Sequence, residues 1–145
     1  MKSEPSVYSI DDLERDKQEH WDGVRNYQAR NFMKNDMRVG DMVLFYHSNA
    51  DVIGVAGLAK VCKEAYPDFT AWDKRSKYYD EKSTKEDPRW FMVDICFVEK
   101  LKRVVTLKEL KENKKLKDML VVQKGSRLSV QPVSEKDFKE LMKII

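Results

Sequence analysis

The sequence predicts an α+β domain in which about five or six strands form a small β-barrel with short helices at its periphery. The first observation behind this prediction is that apolar, strand-like runs recur along the whole chain, most clearly at residues 42–46. The second is that short segments with helix-capping residues interrupt those runs. Because 145 residues can close one hydrophobic core, we expect a single domain over residues 1–145.

Composition places the chain among globular proteins and leaves its partners open. Hydrophobic residues make up 41% and charged residues 37%, which is typical of a soluble folded domain. The net charge is only +3, because 28 Lys and Arg are nearly balanced by 25 Asp and Glu. This balance permits nucleic-acid binding without arguing for it. Every apolar run is too short for a membrane span, and the polar N-terminus does not resemble a signal peptide, so we expect a cytoplasmic protein.

The first part of the chain is expected to hold two short helices with a turn between them. Ser9 followed by Asp12 is a capping-box pattern that opens a helix over about residues 10–15. Residues 21–23, Trp-Asp-Gly, are typical of a tight turn that carries a large aromatic. Residues 24–35 contain no Gly or Pro and predict the second helix, whose apolar stripe consists of Ala29, Phe32 and Met33.

Residues 42–46, Met-Val-Leu-Phe-Tyr, predict a buried strand that stops abruptly at His47 and Ser48. A strand ending in an aromatic, an imidazole and a hydroxyl, preceded by a Trp-bearing turn, indicates a pocket. A core strand with a polar exit accounts for the same residues, and both interpretations stay open. A second strand at residues 52–62 follows a short polar segment, which predicts a hairpin. The two glycines of this strand, Gly54 and Gly57, predict a bulge or a close backbone approach.

Residues 65–89 are the least regular part of the chain, with two prolines, many charges and five aromatic residues. A loop of this length in a small domain is expected to fold back on the body or to serve a site. Its aromatic residues fit either satellite packing or a binding cage. We expect a strand at residues 90–98, and a capping box at Thr106 and Glu109 that opens another helix.

The C-terminal part is expected to contain a basic run, a strand and a last helix. The Lys-rich run at residues 111–117 fits a solvated helix surface or a segment that follows phosphates. Residues 128–133 alternate in polarity and predict a half-buried strand. Ser134 is expected to cap a helix with one apolar stripe, made of Phe138, Leu141, Met142 and Ile145. Cys62 and Cys96 both lie in predicted strands, where we expect reduced thiols in the core.

Motifs for metal, phosphate or acyl-transfer chemistry are missing from the sequence. The only histidines are His20 and His47, and neither they nor the cysteines have the spacing of a zinc site. The chain has no phosphate-binding glycine loop, no dinucleotide fingerprint and no nucleophile elbow. We therefore expect no metal, no cofactor and no motif-based catalysis.

Polar and aromatic side chains beside turns are the remaining candidates for a site. Trp and Tyr offer flat faces for stacking, while Ser, Asn and Arg can hydrogen-bond the edge of a planar heterocycle. This combination suits a nucleobase, although many domains of this size contain a similar set. The candidate residues are Ser3, Trp21, Arg25, Asn26, Tyr46, His47, Ser48, Arg127 and Ser129, with Lys2 and Glu4 beside them.

Ordered blocks across nearly the whole chain resemble one known family, the EVE domain of the PUA-like group. The blocks are Lys2–Pro5, Tyr8–Leu13, Trp21–Phe32, Phe45–Ser48, Glu64–Asp68, Pro88–Asp94 and Ser126–Val133. The chain departs from the family at its start, where an aromatic-aliphatic pair usually precedes the Lys-Ser-Glu-Pro block. We therefore expect a short first strand.

The resemblance implies a PUA-like barrel with a pocket for a modified nucleobase, such as 5-methylcytosine or 5-hydroxymethylcytosine in DNA, or a modified base in RNA. It places the nine candidate residues at or near that pocket. The leading hypothesis is a binding module that accepts a flipped-out base without catalysis. A small amidohydrolase using Lys2 and Glu4, and a protein-interaction domain with residues 65–89 as its contact surface, are the other hypotheses. A monomer is expected, because the sequence shows no extended apolar surface helix.

Overall fold

A computed structural model describes all 145 residues and shows a mixed sheet of five strands with four α-helices. The strands are β1 (Lys2–Ser3), β2 (Gln18–His20), β3 (Met42–His47), β4 (Gly54–Pro67) and β5 (Phe91–Thr106). The helices are α1 (Ile10–Asp16), α2 (Tyr27–Asn35), α3 (Leu107–Glu112) and α4 (Glu135–Met142), and 3₁₀ turns lie at Phe69–Trp72, Lys114–Leu116 and Leu120–Val122. The sheet order is β1-β3-β4-β5-β2, with β1 parallel to β3 and the other pairs antiparallel. The predicted α+β class is confirmed, as is the short first strand.

Strand β3 lies between two hydrophobic cores, which explains its nearly continuous apolar sequence. Because side chains alternate along a strand, Val43 and Phe45 join one core, and Leu44 and Tyr46 join the other. All four are buried, and Phe45 is fully enclosed. The first core also holds residues of α1 and α2, while α3 and α4 contribute to the second. The prediction of a buried central strand is therefore confirmed.

The predicted hairpin is the pair β3–β4, which runs from Met42 opposite Lys60 to His47 opposite Gly54. Its register shifts beside Phe45, in the part of the hairpin that contains Gly57. The side chain of Ile10 from α1 packs against Gly57 in the space that a β-carbon would need. The predicted bulge and close approach are both present, and they let α1 lie directly on the sheet.

The strand predictions need several corrections, beginning with the strand predicted at residues 90–98, because β5 continues to Thr106. Strand β4 continues to Pro67, so it includes the first residues of the segment predicted to be irregular, and β2 was not predicted. Residues 128–133 do not form a strand, although Val130 is buried. The carbonyl of Ser129 accepts a hydrogen bond from the Lys2 amide at 2.8 Å. Because β1 has only two residues and Pro132 has no N–H to donate, a regular ladder does not develop there.

The capping predictions are confirmed for three helices. Complete capping boxes open α1 at Ser9 and α3 at Thr106, and the Ser134 hydroxyl caps α4. The apolar stripe predicted for α4 is wrong at its end, because Ile145 is exposed and Ile144 packs against the second core instead. The reason is that α4 ends at Met142, so the helical spacing no longer applies to the last residues.

The two cysteines are paired, which contradicts the prediction of reduced thiols. A disulfide joins Cys62 on β4 to Cys96 on β5, with 5.9 Å between their Cα atoms. This separation lies in the range that a disulfide bridges. The residues are 34 positions apart, so only the antiparallel pairing of the two long strands brings them together. None of the helices combines the length and the apolar character needed to cross a membrane.

Candidate functional site

A cleft of about 550 Å³ opens beside the turn that follows β2. Four parts of the chain form its walls: β1 with the residues after it, the end of β2 with the turn, the loop before β5, and Ser129. Of the nine predicted site residues, the cleft contains Ser3, Trp21 and Ser129. Lys2 and Glu4, which flank Ser3 in the sequence, also line it.

The indole of Trp21 is half-buried between the first core and the cleft. The Trp21 amide donates a hydrogen bond to the Val93 carbonyl at 2.7 Å, which fixes the start of the turn to β5. The indole meets the Phe45 ring edge to face, with 5.7 Å between the centroids. The core therefore supports the indole on one side, while another part of it remains available to a planar ligand.

Gly23 ends the turn in a conformation that only glycine adopts easily. Its φ is +78°, and the ring of Tyr78 occupies the space that a β-carbon would need. Its amide donates a hydrogen bond to the Asp68 carboxylate at 2.9 Å. The loop between β4 and β5 thus folds back on the turn, and Lys77 and Tyr78 form one wall of the cleft.

Arg25 holds this loop against the turn. Its guanidinium donates to the Asp68 carboxylate at 2.9 Å and to the Tyr78 carbonyl at 2.7 Å. The Asp68 side chain has no exposed surface, and that of Arg25 is 23% exposed. Burial raises the pKa of Asp68, but hydrogen bonds from Thr70, Gly23 and Arg25 outweigh it and hold the pKa below its usual range. Arg25 is therefore engaged beneath the cleft and does not line it.

An imidazole and two carboxylates form the rim next to the indole. His20 Nδ1 lies 3.2 Å from a Glu19 carboxylate oxygen, and His20 Nε2 lies 3.7 Å from one of Asp22. The Glu19 carboxylate also accepts a hydrogen bond from the His20 amide. The pKa of Asp22 is raised, mainly by burial and next by the nearby charge of Asp68, against opposing effects of His20 and Arg25.

The strand end at residues 46–48 lies outside the cleft. Tyr46 is buried in the second core and borders a separate small cavity of about 30 Å³, shared with Lys2 and Ser129. His47 Nε2 accepts a hydrogen bond from the Ile10 amide at 3.1 Å, and burial lowers the pKa of His47. The Ser48 amide donates to the Ser3 carbonyl at 2.9 Å. These groups therefore connect elements of the fold to one another.

Asn26 and Arg127 also lie outside the cleft lining. The Asn26 side chain caps α2 by accepting a hydrogen bond from the Ala29 amide at 3.1 Å. Arg127 is exposed on the segment before Ser129. A role for either residue in base binding stays a prediction.

Sequence reasoning did not select Glu19, His20, Asp22, Lys77 and Tyr78, which line the cleft. Asp22 adjoins Trp21 in the sequence, so the turn itself was the available signal. Lys77 and Tyr78 belong to the irregular segment that was expected to fold back or to serve a site. Nothing in the structure brings three or more His, Cys, Asp or Glu side chains together in a group that could hold a metal ion.

Comparison with known proteins identifies relatives along the whole chain. The sequence model of the EVE domain family matches residues 1–144 of this chain. Human thymocyte nuclear protein 1 is 42% identical over 157 residues, which cover 95% of this chain and 69% of that protein. No catalytic activity appears in its name.

Solved structures share the fold over almost the full length. A Pseudomonas syringae protein superposes with a TM-score of 0.95 at 48% identity, covering 99% of this chain and 96% of that one. Human THYN1 protein in complex with DNA containing 5-methylcytosine superposes with a TM-score of 0.91 at 42% identity, covering 99% and 94%. The expected PUA-like fold is thereby confirmed, and the chain belongs to the EVE domain family.

Proposed function

We propose that this chain binds DNA carrying a modified cytosine, such as 5-methylcytosine, and accepts the flipped-out base in the Trp21 cleft without catalysing a reaction. The observation that carries the proposal is the half-buried indole in a cleft of about 550 Å³. Support also comes from the human relative solved with 5-methylcytosine DNA, which is 42% identical to this chain. RNA carrying a modified base is the other polymer that the sequence left open, and the binding test includes it.

The energetics of base flipping are compatible with such a cleft. Extruding a base costs a few kcal/mol, and stacking on an aromatic side chain returns about 1–3 kcal/mol. Ligand pockets commonly have volumes of about 300–1,000 Å³, so the cleft is large enough for a nucleobase. Hydrogen bonds to the polar side chains around Trp21 would supply the rest.

Titration of matched oligonucleotides tests the proposal. We expect a methylated DNA duplex to bind about tenfold to a hundredfold more tightly than the unmethylated duplex, because burying one methyl group in a close-fitting pocket contributes about 1–3 kcal/mol. An RNA of the same sequence with the same modification forms the third arm. Equal affinities for methylated and unmethylated DNA would overturn methyl recognition, and tighter binding of the RNA would reassign the polymer.

An enzymatic function is the second candidate, because Lys2, Ser3 and Glu4 all line the same cleft. Burial lowers the pKa of Lys2, which favours a neutral amine. The Ser3 hydroxyl, however, donates a hydrogen bond to the Tyr8 carbonyl at 2.6 Å. Incubation with modified cytidines followed by mass spectrometry decides between the candidates. A product that is lost in Glu4→Gln would establish catalysis.

The remaining expectations concern protein partners, location, oligomeric state and domain organisation. A role of residues 65–89 in protein interaction stays a prediction, and pull-down with a Lys77→Ala variant as comparison would address it. The cytoplasmic location, the monomeric state and the single-domain organisation also stay predictions. Sedimentation of the purified chain checks the monomer directly.

A further inference from the structure

The carboxylate of Asp22 lies in the cleft and has few hydrogen-bonding or ionic partners. Its only ion-pair partner is His20, whose Nε2 lies 3.7 Å away, and its only hydrogen-bond donor is its own backbone amide. Its side chain is 32% exposed, so it is partly removed from water while remaining accessible. A desolvated acceptor of this kind gains more from a hydrogen-bond donor than a carboxylate in open solvent does.

Three other polar groups of the cleft are already engaged, whereas Glu4, the remaining carboxylate of the lining, is exposed to solvent. The Glu19 carboxylate accepts a hydrogen bond from the His20 amide at 2.9 Å. The Tyr8 hydroxyl donates to Asp16 at 2.9 Å, and the Ser3 hydroxyl donates to the Tyr8 carbonyl. Asp22 is therefore the partly buried carboxylate that follows Trp21 directly in the chain and accepts no hydrogen bond from another residue.

Backbone hydrogen bonds fix Asp22 on both sides. The amide of Trp21 donates to the Val93 carbonyl at 2.7 Å, and the amide of Gly23 donates to the Asp68 carboxylate at 2.9 Å. The main chain of the turn is thus held to β5 and to the loop before it. A carboxylate on such a fixed support can select a ligand by hydrogen bonding without the cost of ordering a mobile loop.

We propose that Asp22 is the residue that selects cytosine derivatives, by accepting a hydrogen bond from the 4-amino group of the base in the cleft. Cytosine presents an N4 amino donor where thymine presents an O4 acceptor, and Asp or Glu is the side chain that accepts from cytosine N4. Thymine and 5-methylcytosine carry the same ring methyl, so the methyl group cannot distinguish them. A carboxylate attracts the amino group and repels the carbonyl oxygen. This inference rests on the proposed function.

The test compares 5-methylcytosine with thymine in duplexes where the variable base faces an abasic site. In this arrangement neither base must leave a Watson–Crick pair, so the cost of flipping is nearly the same for both. We expect the wild-type protein to prefer 5-methylcytosine by roughly tenfold to a hundredfold. In Asp22→Asn the amide can either accept from N4 or donate to O4, so the preference should fall to within about threefold.

Two further variants make the result specific. Asp22→Ala removes the acceptor altogether and should also abolish the preference. Asp51→Asn neutralises an exposed carboxylate outside the cleft and should leave the preference unchanged. Because Asp22 and Asp68 repel each other, neutralising Asp22 should not lower the melting temperature, which a thermal melt of each variant checks.

The outcomes separate this inference from the proposed function. A wild-type protein that binds 5-methylcytosine and thymine equally, or an Asp22→Asn variant that keeps the full preference, would overturn the role of Asp22 while leaving methyl recognition intact. A wild-type protein with no preference for methylated over unmethylated cytosine would instead overturn the proposed function. Loss of the preference in Asp22→Asn and Asp22→Ala, with Asp51→Asn unchanged, supports the role of Asp22.

Discussion

Residues 20–22, which are the end of β2 and the first part of the turn after it, resemble the strand end at residues 46–48 in side-chain type but serve a different purpose. Each combines an aromatic residue and a histidine with a polar residue, which is Asp22 in the first segment and Ser48 in the second. The turn lines the cleft with side chains that are partly exposed. The strand end packs inward and bonds to β1 and α1 through its polar groups. Similar side chains therefore line a candidate site in one place and connect elements of the fold in the other.

The difference lies in what each polar group already contacts. His47 accepts a hydrogen bond from the Ile10 amide, which is one of the unpaired donors at the start of α1. His20 lies beside the Glu19 and Asp22 carboxylates and the ring of Phe69, it satisfies no backbone donor, and its side chain is 40% exposed. A group that satisfies a backbone donor cannot contact a ligand without a cost to the fold. Availability for binding is thus set by tertiary contacts, which a local motif does not contain.

The largest expected effect concerns Arg25, which supports the turn from below. In Arg25→Ala the buried Asp68 carboxylate loses its ionic partner, so we expect the free energy of unfolding to fall by about 3–5 kcal/mol. Urea unfolding measures this loss. Adding Asp68→Asn to the same variant removes the unpaired charge and should restore part of the stability.

The Arg25→Ala variant can also contradict the assignment of Arg25 to a purely structural role. If Arg25→Ala unfolds within about 1 kcal/mol of the wild type but no longer binds methylated DNA, Arg25 contacts the ligand, as the sequence first indicated.

The second prediction concerns Trp21 and tests the turn directly. Trp21→Ala should weaken binding of methylated DNA by about 1–3 kcal/mol, because a stacking platform is lost. Since the indole is only half-buried, the loss of stability should stay below the roughly 3–5 kcal/mol expected for a fully buried aromatic residue. Thermal melts and binding titrations on one preparation measure both quantities. A variant that binds normally, or that melts far below the wild type, would remove Trp21 from the site.

The sequence predicted much of the fold because local rules dominate there. Capping residues such as Ser9 and Thr106 located helix starts, and the continuous apolar run at 42–46 located the strand between the two cores. Predictions failed where the outcome depended on distant partners. Residues 128–133 alternate like a strand, but their neighbour β1 is too short to pair with them, and the disulfide of Cys62 depends on strand register.

The lining of the candidate site was predictable only in part, for the same reason. Ser3, Trp21 and Ser129 reach the cleft, whereas Arg25 and His47 have the right chemistry but are engaged elsewhere. The identity of a side chain follows from the sequence. Whether its hydrogen-bonding groups are free depends on residues far along the chain, such as Asp68 and Ile10.

The third prediction concerns His47 and the pH dependence of stability. Burial lowers the pKa of His47 in the folded state, with Asp11 opposing and Lys100 adding to the effect. The unfolded chain therefore takes up a proton near pH 6.5 that the folded chain resists, and stability should fall as the pH drops through that value. Urea unfolding at several pH values checks this expectation. In His47→Gln the part of the slope between about pH 7.5 and 5.5 that His47 contributes should disappear.

A matched variant separates the hydrogen bond that His47 accepts from the Ile10 amide from the effect of His47 protonation. His47→Ala also removes the acceptor for the Ile10 amide and should cost about 0.5–2 kcal/mol at neutral pH, as for other helix caps. Affinity for methylated DNA should remain near that of the wild type, because His47 does not line the cleft. A loss of affinity with unchanged stability would return the strand end to the binding site.

The smallest expected effect is that of Ser48→Ala. The hydrogen bond from Ser48 to the Ser3 carbonyl uses the backbone amide, which alanine retains, and no hydrogen bond of the hydroxyl holds the structure together. We therefore expect stability to change by less than about 0.5 kcal/mol and DNA affinity to stay within about twofold of the wild type. Ser48→Pro is the contrasting variant, because proline removes the amide that β1 needs and should destabilise the protein clearly. If Ser48→Ala lowered affinity tenfold without changing the melting temperature, the hydroxyl would have to contact the ligand. The contrast between the turn and the strand end would then no longer hold.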